Sequence, residues 1–145
     1  MIPPDELESL LRAHAYLQVE RPPALWGIDA DLERFLFVLG ELIVVGLGRV
    51  TPEGGELGDL TLNVANVVVP PDAADERLPE GEFVAVTILA PGAWGRDDVW
   101  RPGDGPTTGL LVNVAPRADD AGAVLAYTRN LGDRGSATVF FPRAG

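Results

Sequence analysis

Apolar positions set out the elements of the chain before any composition is considered. Leu7, Leu10, Leu11 and His14 recur at i, i+3, i+4 and i+7, the spacing of one helix face. The spacing predicts a helix from about Asp5 to Ala15, after Pro3-Pro4, with Asp5 as cap and Glu8 three residues on. Tyr16–Glu20 alternates and predicts a short edge strand, stopped by Pro22-Pro23. A second helical run follows an aspartate cap at Asp29 or Asp31, with Leu32, Phe35, Leu36, Leu39, Leu42, Ile43 and Gly46 on one face. It reaches about Leu47, and its further apolar residues imply burial on most sides. Two strands around Gly40-Glu41 are the rival reading of 32–47, kept open by the β-branched residues of its second half.

Strand patterns then follow one another: Leu60–Val69, Phe83–Ala90, Gly109–Ala115, Ala123–Asn130 and Ser136–Phe141. Leu131–Gly135 reads as a hairpin loop, and residues 123–131 also fit a helical period. Helices first and strands second predict an α+β fold: two N-terminal helices packed on one face of a curved, mainly antiparallel sheet of about five strands. The 145 residues are expected to form a single α+β domain, 1–145. This order of elements resembles the cone-shaped domains of the nuclear-transport-factor type. No motif accompanies the resemblance, so it assigns no residue; it implies only a pocket between helices and curved sheet.

Charge narrows the choice of partners. Residues 1–72 hold twelve acids and four arginines, and residues 73–145 hold ten acids and seven arginines, for a net charge of −11. Such a surface repels phosphate backbones, so no nucleic-acid partner is expected, and a cationic protein partner fits better. The start lacks a basic region followed by an apolar run, and no stretch is long and apolar enough for a membrane span. A cytoplasmic location without membrane association is the expectation.

Missing residue types exclude chemistry. With no cysteine, disulfides, thiol nucleophiles and cysteine-bound metals are excluded. The chain has no lysine, so Schiff-base chemistry and a Gly-Lys-Ser/Thr phosphate loop go too. A lone histidine, His14, reads as a hydrogen-bonded boundary residue. No catalytic, cofactor-binding or metal-binding residue is assigned, and no cofactor is expected.

Pro91–Thr108 is the segment that invites a functional reading. It carries Trp94, Arg96, Asp97, Asp98, Trp100 and Arg101 among glycines, and loops of this length are often functional. Aromatics beside mixed charges suit an interface anchor; the structural alternative folds both indoles back over the core. Asp97-Asp98, Asp104 and Asp119-Asp120 read as turn and cap residues. Asn63, Asn66 and Asn113 interrupt strand patterns, and they are the amides expected to line a polar pocket if one exists. Trp26 is expected to pack at the join between the two helices.

Two readings of function result. The first is a non-catalytic acidic protein-interaction module (adaptor, immunity-type inhibitor or self-associating subunit), with a homodimer as a further expectation. The second is a small-ligand-binding or carboxylate-based enzyme domain with its pocket between helices and sheet.

Overall fold

The computed structural model describes residues 1–50, 59–72, 78–92, 94, 97–105 and 109–144. In chain order the elements are α1 (Pro4–Ala13), β1 (Gln18–Glu20), α2 (Leu32–Val50), β2 (Thr61–Val69), β3 (Gly81–Pro91), β4 (Val99–Trp100), α3 (Val114–Asp120), β5 (Leu125–Asn130) and β6 (Arg134–Pro142), with a 3₁₀ turn at Gly109–Leu111 before α3. The expected α+β class holds. Among the described residues there are three helices and six strands, against two and about five expected, and the sheet is mixed.

Both long helices arise where the spacing placed them. In α1 the cap is Pro3 rather than Asp5, and there is no side-chain cap bond. Pro4 explains this: its ring presets the helical φ, and its missing N–H is one that a first turn leaves unpaired anyway. Asp5 and Glu6 instead sit in the first turn, where negative charge suits the helix dipole. In α2, Asp31 does cap, its carboxylate accepting the Arg34 N–H at 3.2 Å. Phe35, Val38, Leu39, Leu42, Ile43 and Gly46 are all buried at helical spacing, which decides 32–47 in favour of helix. Gly46 lets α2 pack tightly on the sheet; a Cβ there would stand 2.9 Å from Ile88 Cγ1 and 3.1 Å from Leu60 Cδ2.

The sheet runs β1-β2-β3-β6-β5-β4. β1 pairs parallel with β2, and the remaining pairings are antiparallel. The sheet is thus mainly antiparallel as expected, but its order departs from the order of strands along the chain: β1 needs a crossover, which α2 provides, and β6 inserts between β3 and β5. The stretch expected as a third strand, Gly109–Ala115, is instead the 3₁₀ turn and the start of α3. Pro116 falls in the first turn of α3, where a proline is tolerated, whereas a central strand would lose a ladder bond there. These departures also take the fold away from the order of helices first and strands second, since β1 precedes α2 and α3 lies between β4 and β5. Within residues 123–131, Leu125–Asn130 is strand rather than helix, and β5 and β6 meet across Leu131-Gly132-Asp133, with Gly132 at φ +79°.

One face of the sheet carries the helices. Leu7 and Leu11 of α1, the buried row of α2, and Val114, Ala115 and Ala118 of α3 pack with Leu62, Val64, Val84, Val86, Ile88, Val139 and Phe141. Phe35 meets Phe141 edge-on at 5.3 Å between ring centroids. A smaller cluster, Phe83, Ala85, Leu125 and Phe140, lies on the opposite face. Isolated bridges join Ile28 to both Ile2 and Arg143, so the two terminal segments meet beside Trp26. Arg143 lies over the Trp26 ring at 4.1 Å and pairs with Glu82 at 2.6 Å. Trp26 therefore packs at the end of β6 rather than only between helices. No described helix is long and apolar enough to cross a membrane.

Candidate functional site

The loop after β3 is fastened to β5 by its own polar groups. Trp94 N–H donates to Asn130 Oδ1 at 2.6 Å, and Asn130 N–H donates to Asp97 Oδ1 at 3.1 Å. Asp98 and Thr128 exchange two bonds of 2.9 Å, one to the Thr128 hydroxyl and one to the Asp98 carbonyl. The Asp98 carboxylate also packs where Gly109 would carry a Cβ, and Gly109 has φ +73°; both space and backbone require glycine there. Asp104 closes a turn by accepting the Arg101 N–H at 2.8 Å. Asp97, Asp98 and Asp104 thus act as turn and strap residues.

Both indoles of this segment are buried: Trp94 is 4% exposed and Trp100 is 3% exposed. The ring of Trp94 lies against the backbone of Gly135. Among the described residues, the loop presents Asp97, Val99, Pro102, Gly103, Asp104 and Gly105 to solvent, with Arg101 half-buried. Arg96 lies outside the described residues.

The asparagines are dispersed. Asn63 donates to Glu20 Oε2 at 3.4 Å across the sheet edge. Asn66 projects toward the helices, where its carboxamide holds Ala24 and Trp26. Asn113 is an exposed residue just before α3 and makes no side-chain cap bond. The three do not share a cavity.

Cavities flank α3 instead. One of 280 Å³ lies between the loop and α3 and is lined by Trp100, Asp104, Gly105, Val112, Ala115, Pro116 and Asp119. A wider depression of 530 Å³ lies between α2 and α3, lined by Asp31, Glu33, Arg34, Phe37, Arg117 and Asp120. Five carboxylates therefore line the two hollows against two arginines. Arg34 Nη1 donates to the Asp120 carbonyl at 3.1 Å, and the Arg117 guanidinium sits 5.2 Å from the Phe37 ring centroid. Phe37 is nonetheless 50% exposed, and Val112 and Val44 are also exposed. Sequence spacing hides this region, because Val112 and Val114 alternate like a strand; the signal that could have found it is Pro116 beside Asp119-Asp120.

His14 lies away from these hollows. Its Nδ1 is 2.8 Å from the Tyr16 hydroxyl, and partial burial lowers its pKa below the ordinary 6.5. Among the described residues, no group of three or more His, Asp or Glu side chains is placed to hold a metal ion.

No protein-family model and no curated protein matches the chain. Among solved structures it is similar to the histidine kinase AdeS of Acinetobacter baumannii, with a TM-score of 0.51 and 18% identity. The alignment covers 96% of this chain and 64% of that structure. At this identity the likeness is one of fold alone.

Proposed function

We propose that this chain is a non-catalytic protein-interaction module, built on a fold that a histidine kinase also uses, and that it receives a basic, partly apolar segment of another protein along the flanks of α3. The observation that carries the reading is the pair of hollows on either side of α3. Asp31, Glu33, Asp104, Asp119 and Asp120 supply negative charge there, and Phe37 and Val112 supply exposed apolar contact. Arg34 and Arg117 are already engaged within the chain. A polyphosphate would meet repulsion at these walls, whereas an arginine- or lysine-bearing segment would be steered toward them. The Trp94–Arg101 loop contributes as the wall of the smaller hollow through Trp100, with its buried indoles holding the wall in place.

The test is a titration of the full chain with a labelled amphipathic peptide of alternating arginine and leucine, alongside magnesium-ATP. Saturable peptide binding is expected, weakened about tenfold by moderate salt and by a similar factor in Phe37→Ala or the Asp119→Asn/Asp120→Asn pair. Phosphoryl transfer, or magnesium-ATP bound more tightly than the peptide, would replace this reading with a kinase one. Sedimentation of the chain alone reports whether a second copy occupies the same face.

A further inference from the structure

We propose that the helix side of the sheet at Gly135 is a binding slot for a planar, uncharged aromatic group, and that Trp94 occupies this slot from within the chain. Gly135 lies inside β6, paired with Ala90 of β3 on one side and Asn130 of β5 on the other. Glycine weakens a strand interior and needs a reason there. The reason is space: a Cβ on Gly135 would clash with Cγ, Cδ1 and Cδ2 of the Trp94 indole. The ring therefore lies flat on bare backbone. Ala90 and Ala137, on the same face, are fully buried and small, so the floor around the glycine is also low.

The occupant reveals what the slot selects. A floor of glycine and alanine admits a flat bicycle and excludes a ring with axial bulk. Trp94 Nε1 is buried, with no hydrogen-bond partner among the described residues. The slot thus favours ring area and offers no partner to a ring N–H, which incurs a desolvation cost on entry. A fused aromatic without a donor, such as benzothiophene, fits that description better than indole does. This site is distinct in chemistry from the charged hollows beside α3 and does not depend on them.

Full-length Trp94→Ala tests the assignment, using calorimetric titration and thermal melting with benzothiophene, indole and cyclohexylmethanol as probes. Saturable benzothiophene binding is expected, roughly tenfold tighter than indole, with recovery of thermal stability and no effect from cyclohexylmethanol. The wild-type chain and Trp94→Ala/Gly135→Ala should bind none of them. Absence of binding to Trp94→Ala, preference for indole, or equal binding by the wild type would each overturn the proposal. Should Trp94→Ala fail to fold, Gly135→Ala decides. With 5-fluorotryptophan in all three tryptophan positions, one fluorine resonance should move to a solvent-exposed environment and two should stay. Three unmoved resonances would show that no indole rests on Gly135.

Discussion

Asn66 binds the backbone around Leu25 from both sides: its Oδ1 accepts the Trp26 N–H at 3.0 Å and its Nδ2 donates to the Ala24 carbonyl at 2.8 Å. An irregular segment between β1 and α2 thereby gains the backbone partners that a neighbouring strand would otherwise supply. Asn66→Ala removes both and leaves the part-buried Trp26 N–H unpaired, while the exposed Ala24 carbonyl turns to water. A loss of about 1–3 kcal/mol is expected, measured as a lower denaturant midpoint at unchanged slope. Faster exchange of the Trp26 amide would assign the loss to this segment.

Two glycines of α2 should respond with opposite sign. A methyl group added at Gly40 would meet nothing within 4 Å, whereas one added at Gly46 would meet Ile88 and Leu60. Gly40→Ala is expected to stabilise the chain by about 0.5–1 kcal/mol through helix propensity. At Gly46→Ala the same gain is opposed by overpacking of about 1–3 kcal/mol, so the net effect is destabilising. Thermal melts of the two variants side by side provide the comparison.

Trp100 sits in β4 with its indole in the core and one edge on the smaller hollow. Trp100→Ala is expected to cost about 3–5 kcal/mol by burial and cavity effects together. A variant that lost peptide binding at full stability would place the ring on the surface instead.

His14 gives the stability curve a defined direction with pH. Its pKa in the folded chain is lowered by desolvation, so the unfolded chain binds more protons in the window between the folded value and about 6.5. The stabilisation is fully present above 6.5 and is lost as pH falls through the folded value. His14→Gln should flatten this part of the curve. Denaturation midpoints at closely spaced pH, with the His14 ring proton titrated by NMR, check it; a folded value above 6.5 would reverse the slope.

Much of the fold was legible because single-element signals do not need a partner. Asp31 followed by Phe35, Leu39, Leu42 and Ile43 specifies α2 from local spacing, and β2, β3, β5 and β6 each overlap for most of their length a stretch marked by alternation and turn residues. What was illegible depends on pairs distant in sequence. Val112 and Val114 alternate like a strand, and only docking against α2 shows that Val114, Ala115 and Ala118 belong to a helix. Trp94 beside Arg96 and Asp97 reads as an exposed anchor until Gly135 supplies the bare backbone beneath it. The acidic hollows join residues of α2, the loop and α3, so no single run of the chain announced them.

The placement of β6 between β3 and β5 governs how the chain must assemble. β2 with β3, and β5 with β6, are neighbours in sequence and can close early as local hairpins. The ladder from Phe83↔Pro142 to Pro91↔Arg134 joins those two halves, and it cannot form until the intervening β4 and α3 have found room. Contacts of such long sequence separation delay the return on loop closure. The β3–β6 ladder in the middle of the sheet is therefore expected to be the last to form, as the seam between two locally formed halves.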